Sequence, residues 1–289
     1  MSARKSSIYV SSGAFKAASV SALFELSYQA DILNLELSSG LQWSPTILDE
    51  VRNAKDRCSL LVHNYFPPPE QPFVLNLASK DPAVVRQSRE HCRRAIDLCA
   101  EIKAPFYSVH SGYAFDVEPS LLGKKLSHVR RFPLDEAKKI FIESLQGLCE
   151  YGHPQGIDLL IENNVVAPMN LIDGKNCLLL SATDEDLLEI RERVGSKHLF
   201  FLVDFGHVKV TSLALGFAPT SFTRTLADGI RAFHLSDNDG FQDSNDMFDE
   251  KAWFLPMLKD FRNQVFVIES YRLEISQIKK CVQTIENAL

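Results

Sequence analysis

The chain of 289 residues has little of what would place it in several large classes. No run of about 18 uncharged apolar residues occurs, so nothing reads as a membrane-spanning helix. The opening stretch MSARKSSIYVSSG lacks the continuous apolar segment of a secretory signal, and the expectation is a cytoplasmic protein. Six cysteines (Cys58, Cys92, Cys99, Cys149, Cys177 and Cys281) are scattered with no CxxC pair, which argues against a disulfide frame or a thiolate metal site; they read as reduced core residues. Positive charge is not in excess. A formal net charge of −6 gives no overall pull toward nucleic acid or an anionic membrane. There is no internal repeat, low-complexity tract or linker to divide the chain, so one domain spanning residues 1–289 is expected.

Short apolar runs rich in Val, Ile, Leu and Phe are abundant. In order they are IYVSS (8–12), ILNLELS (32–38), SLLVHN (59–64), FYSVHS (106–111), IDLLIENN (157–164), LFFLVDFGH (199–207), RAFHLSD (231–237) and VFVIESY (265–271). Helical patterns fill the intervals. KDPAVVRQSREHCRRAIDLCAEI has Asp81 as a cap, Pro82 in the first turn and a stripe of Val85, Cys92, Ala95, Ile96 and Cys99. TDEDLLEIRERVG opens with Thr183 and Asp186 at capping-box spacing and closes on Gly195. LDEAKKIFIESLQGLCEYG sets Ala137, Phe141, Leu145 and Leu148 on one face. Eight strand–helix units predict a closed (β/α)8 TIM barrel. The alternative is an open α/β sheet, but no GxGxxG turn follows the first run.

The polar residues fall where a barrel would use them. The third run ends at His63, the fourth at His110, the fifth at Glu162, the sixth at Asp204 with His207 three residues on, the seventh at His234 and the eighth at Glu269. In a barrel all these ends meet at one mouth. His91, His128, His153 and His198 fall instead in a helix, in a loop or ahead of strands. Three carboxylates and several imidazoles in one apolar pocket cost several kcal/mol in crowded like charge unless a cation neutralises them. A divalent ion is therefore expected. Carboxylate and imidazole donors without thiolate suit Mn, Co, Zn, Mg or Fe; one ion is expected and a second is allowed for.

The motifs LIENN, LVDFGH, FHLSDNDG and FVIES, supported by LVHN and SVHSG, resemble the xylose isomerase-like barrel superfamily, which holds sugar epimerases and isomerases and also endonuclease IV. The resemblance implies that Glu162, Asp204, His234 and Glu269 bind the metal and that His207, His63 and His110 touch substrate or further metal. It departs in two places. The endonuclease branch completes a third zinc with an Asp-x-His pair, and here DSN supplies Asp243 and Asn245. Asp237, Asp239, Asp243, Asp246, Asp249 and Glu250 also fall within 14 residues there, a stretch that would repel DNA phosphates unless metal or Lys/Arg intervened. The ketose epimerase branch has a substrate-binding arginine after the strand-seven histidine, replaced here by DGFQ, with Arg272 as the candidate substitute.

The activity implied is a divalent-metal-dependent sugar or sugar-phosphate epimerase/isomerase of carbohydrate metabolism, with Glu162 and Glu269 as a base and acid pair working through an enediolate. The alternatives are an endonuclease IV-like phosphodiesterase on abasic DNA, a dehydratase or lyase on the same frame, and a non-catalytic binding protein. The expected partner is a small carbohydrate rather than nucleic acid or membrane, and homo-oligomerisation is left open. Two loops invite attention. Lys124, Lys125, Arg130 and Arg131 follow the fourth strand and could hold a phosphate, and Tyr65, Phe66 and Phe73 follow the third and could wall a sugar pocket.

Overall fold

The computed structural model describes residues 7–117 and 129–289, and every one of the eight apolar runs is a strand in it. They are β1 (Ser7–Ser11), β2 (Asn34–Leu37), β3 (Ser59–His63), β4 (Phe106–His110), β5 (Asp158–Glu162), β6 (Leu199–Asp204), β7 (Ile230–Leu235) and β8 (Val265–Ile268). All neighbours are parallel, and β8 pairs with β1 to close the ring. The result is a (β/α)8 TIM barrel. Because the strands are parallel, their C-terminal ends share one mouth.

The helices follow from local signals. Helix α3 (Pro82–Ile102) starts where the Asp81 carboxylate accepts the Ala83 N–H at 2.8 Å. Its stripe buries Cys92, Ala95, Ile96 and Cys99 completely, while Val85 in the first turn is only half-buried. Helix α4 (Leu134–Gly152) buries Ala137, Phe141, Leu145 and Leu148, each of the larger side chains contributing roughly 1.5–3 kcal/mol. Helix α5 (Asp184–Val194) is capped by Thr183, whose hydroxyl accepts the Asp186 N–H at 3.3 Å, and it ends at Gly195 with φ 68°. The reciprocal half of the expected capping box is not used. The Asp186 carboxylate accepts the Ser181 N–H and pairs with Lys138. Among the described residues no helix is long and apolar enough to cross a membrane. All six cysteines are free thiols, five of them buried.

Two features carry the mouth. Arg130 and Arg131, both exposed, pair with Phe115 and Asp116 in a two-residue antiparallel ribbon over the β4 side. Lys124, Lys125 and His128 lie outside the described residues. Phe66 is fully buried, whereas Tyr65 and Phe73 pack ring to ring at 5.4 Å and wall a cavity above β3.

Candidate metal centre and its cavity

The order of polar residues along the strand ends becomes a cluster. His110 and Glu162 are register partners across β4 and β5, and Asp204 and His234 across β6 and β7. One donor atom from each of Glu162, Asp204, His234 and Glu269 lies within 4.8 Å of the others. His63, His110 and Glu162 form a second such group. All but His110 are buried, and the His110 side chain is 35% exposed.

The strand-end motifs hold these groups by specific bonds. In LIENN, the Asn163 amide brackets β6: its oxygen accepts the Asp204 N–H at 2.8 Å and its nitrogen donates to the Asp204 carbonyl at 3.2 Å. Asn164 donates to the carbonyls of Ser111, Gly112 and Leu180, fixing the loop above Glu162. In LVDFGH, Asp204 caps helix α6 (Phe205–Leu215), accepting the His207 N–H at 2.7 Å. The aspartate is thus aimed by a helix start that also favours its charge. Gly206 is required between them, since a Cβ there would lie 2.5 Å from Ser236 Oγ.

The imidazoles surround Glu162. His63 Nε2 and His110 Nε2 stand 3.3 and 3.2 Å from Glu162 Oε2, and His207 Nδ1 is 3.3 Å from Oε1. Ser108 Oγ at 2.9 Å orients His63 through Nδ1. His207 presents Nε2 to Asp243 at 3.2 Å. His234 Nδ1 lies 2.6, 3.6 and 3.7 Å from oxygens of Glu269, Glu162 and Asp204. None of those approaches is a well-aligned hydrogen bond. Both Glu162 oxygens, Asp204 Oδ2 and His234 Nδ1 are buried without a hydrogen-bond partner. Unpaired buried oxygens and a nitrogen directed at one point are a donor set that a divalent cation satisfies, so the residues fit the expected ion.

Glu36 is the member that strand-end reading missed. It is fully buried on β2, and its Oε1 lies 3.0 Å from His234 Nε2. Glu36 also groups with His63 and His234 within 4.8 Å. Its position inside LNLEL looks like ordinary alternation, which in a sheet with one wet face would put the glutamate in solvent. The barrel interior reverses that reading.

Protons show how crowded the site is. Burial raises Asp204 well above the usual carboxylate range and also raises Glu36, against the pull of His234. Burial opposes the charge of His207 and His234 too, but Asp204 and Asp243 around the first, and Glu269 and Glu36 around the second, push both well upward. His63 is pushed down to about 3 by burial. Burial would lift Glu162, yet His110, His234 and His63 hold it well down. His234 likewise overcomes burial to hold Glu269 at about 2. A bound cation would favour the deprotonated forms of its ligands, against the upward shifts of Asp204 and His234.

Arg272 does not join the cluster. It is exposed at φ 53°, its N–H donates to the Gly13 carbonyl at 3.0 Å, and it borders a side cleft with Lys16 and Ser39. Tyr271 is the neighbour that reaches inward, its hydroxyl 3.4 Å from Glu269 Oε1. Asn245 donates to Asp243 Oδ2 at 3.3 Å. In the acidic loop, Lys209 pairs with Asp237 at 2.6 Å, and Asp239 and Asp249 accept loop N–H groups, so much of that charge serves the loop's own fold. His153 and His198 stack at 3.8 Å, with His198 on Asp158 at the first residue of β5, away from the mouth.

A cavity of about 530 Å³ opens beside the centre, reaching it through His110 and Asp243 and walled by the loops after β3, β4 and β5.

Comparison with known proteins agrees with this architecture. The fructoselysine 3-epimerase of Shigella flexneri is 25% identical over 183 residues, a match covering 62% of this chain and 55% of that enzyme. The chain thus spans about half the length of the curated relative it matches. A solved D-tagatose 3-epimerase-like protein superposes with a TM-score of 0.73 at 22% identity, over 97% of this chain and 98% of the other. The D-psicose 3-epimerase of Clostridium cellulolyticum H10, solved with D-tagatose, gives 0.67 at 12% identity over 98% and 96%. Likeness at that identity shows a shared fold. The sequence model that describes the xylose isomerase-like TIM barrel matches residues 22–274, a span that holds β2 to β8 and the whole donor cluster, and the chain belongs to that family.

Proposed function

We propose that the protein is a divalent-metal-dependent epimerase or isomerase of a sugar or sugar phosphate. The observation that carries the reading is the buried cluster of Glu162, Asp204, His234 and Glu269, with unpaired atoms on the first three, beside a substrate-sized cavity. The three proteins compared above, each a sugar epimerase or epimerase-like, support the reaction class.

Those four residues would hold the ion. When bound, it supplies Lewis-acid polarisation of a substrate carbonyl and the neighbouring hydroxyl, which acidifies the C–H bond between them. Glu162 ends β5 and Glu269 directly follows β8, and they would attend opposite faces of the sugar, one accepting the carbon-bound proton and the other returning one. Tyr271 can hold Glu269 Oε1 through its hydroxyl. His110, partly exposed on the cavity wall, and His207 would contact substrate hydroxyls, while His63 braces Glu162 from below. Arg272 would serve a substrate that extends into its side cleft.

The phosphodiesterase reading is the weaker one. At the position where a third zinc calls for imidazole, Asn245 offers a neutral amide, a poor zinc donor, whose nitrogen donates to Asp243. The test is turnover of a panel of ketohexoses, free and phosphorylated, by the full chain before and after metal stripping and reloading. Metal-dependent interconversion of epimers is the expected result. Faster metal-dependent nicking of an abasic duplex than of any sugar turnover would reverse the assignment.

A further inference from the structure

Two spaces open at the barrel mouth, and their charge differs. The large cavity carries Asp243 and, among its described lining residues, neither Lys nor Arg. An anionic group placed there would meet a carboxylate and lose water with no cation to replace it. The second space is a cleft of about 450 Å³ between the loops after β1, β2 and β8, lined in part by Gly13, Lys16, Ser39, Tyr271 and Arg272. Lys16, Ser39 and Arg272 are exposed there. Lys16 is tied to Glu274, whose carboxylate also caps the C-terminal helix Ile275–Ala288. Among the described residues no carboxylate pairs with the Arg272 guanidinium.

The backbone fixes where these cations stand. Arg272 adopts φ 53°, which few L side chains do, and its N–H and that of Leu273 donate to the Gly13 and Ala14 carbonyls at 3.0 and 2.8 Å. The loop after β8 is thereby pinned to the loop after β1, and each contributes one cation to the cleft. Two residues join the cleft to the metal centre. Ser39 lies on the walls of both spaces. Tyr271 sets its ring against Gly13, where a Cβ would come within 2.8 Å of it, and carries its hydroxyl to 3.4 Å from Glu269 Oε1. Arg272 follows Glu269 by three residues, so their backbones lie no more than about 11 Å apart.

We propose that this cleft is an anion site, and that the sugar acted on carries a phosphate or carboxylate at the end remote from its reacting carbonyl. The inference rests on the sugar reading above for what sits at the metal, while the anion site stands on the cleft's own charge. Arg272 supplies a planar fork of donors that matches either oxyanion, and Lys16 a second charge that the anion shares with Glu274.

Fructose, fructose 6-phosphate and fructuronate, offered to the metal-loaded full chain, test the pairing of sugar and anion; inorganic phosphate tests the anion site without a sugar. Calorimetric titration reads affinity, and deuterium uptake from heavy water reads the reaction. At low ionic strength one of the two anionic sugars should bind about tenfold more tightly than fructose, the lower end of what a charge-assisted bond supplies in a cleft with a wet side. Whichever leads names the anion. Arg272→Asn removes the charge and suits a positive φ, so it should abolish that preference and weaken inorganic phosphate about tenfold, and Arg272→Lys should restore part of both. The preference should also shrink as salt rises beyond about 0.15 M. Sugars bound without regard to their charge, or anion affinities unmoved in Arg272→Asn, overturn the site. Loss of inorganic phosphate binding in Arg272→Asn with no deuterium uptake from any sugar keeps the anion site and removes the epimerase reading instead.

Discussion

Glu36 offers a perturbation whose effect can be worked out from contacts. His234 faces the donor cluster with Nδ1, so its other nitrogen, Nε2, carries the proton and donates to Glu36 Oε2 at 3.3 Å. That bond fixes ring orientation and tautomer and makes Nδ1 a better donor to a cation. Partners of this kind are worth about 10- to 100-fold in metal affinity, or about 1.4 to 2.8 kcal/mol. Glu36→Gln keeps an acceptor for the Nε2–H but loses the charge, which places it near the tenfold end. Glu36→Leu removes both and leaves Nε2 buried without a partner, which places it near the hundredfold end. Both fill a fully buried position of similar volume, so the barrel should persist. Competition with a chromophoric chelator measures the affinity, and far-UV circular dichroism checks the fold. Wild-type affinity in both folded variants would show that Glu36 does not act through His234.

Three further outcomes follow from the same contacts. Asp204→Asn should lower metal occupancy sharply in the purified protein, because it replaces a buried carboxylate directed into the cluster by its α6 cap; full metal content after removal of all four donors would place the ion elsewhere. Abasic duplex DNA should be cut weakly or not at all at physiological salt, since Asn245 stands where an imidazole is needed. His91 is buried in α3, and burial lowers it to about 4 from 6.5, so the unfolded chain takes up the proton first and stability is lost as pH falls from 6.5 toward 4. The loss attributable to His91 should reach about 2 kcal/mol by pH 5, and urea denaturation of His91→Phe should show a correspondingly shallower decline.

The barrel was legible because each strand is a short apolar run and some of the helices between them have marked ends, as at Asp81 and Gly195. The convergence of Glu162, Asp204, His234 and Glu269 was legible for a related reason: parallel strands turn a sequence regularity, a ligand-type residue at the run's end, into a spatial one. Glu36 escaped because it sits one residue before its strand's end in a pattern that an outward-facing glutamate would also produce. Spacing alone does not register that Arg272 borders a side cleft while its neighbour Tyr271 meets Glu269 Oε1. The acidic loop misled in part, because short-range caps such as Asp239 on Phe241 are invisible in a count of charges.

The central claim is that Glu162 and Glu269 move protons at a substrate carbon while a cation is held between them. It is tested most directly by turnover of a responsive sugar in heavy water, with metal occupancy measured on every sample. The account predicts deuterium on the epimerised carbon with the wild-type chain, and none with Glu162→Gln or Glu269→Gln samples that retain the ion, since an amide still offers an oxygen but accepts no proton at neutral pH. Turnover without deuterium incorporation, or wild-type exchange in both Gln variants, would contradict it.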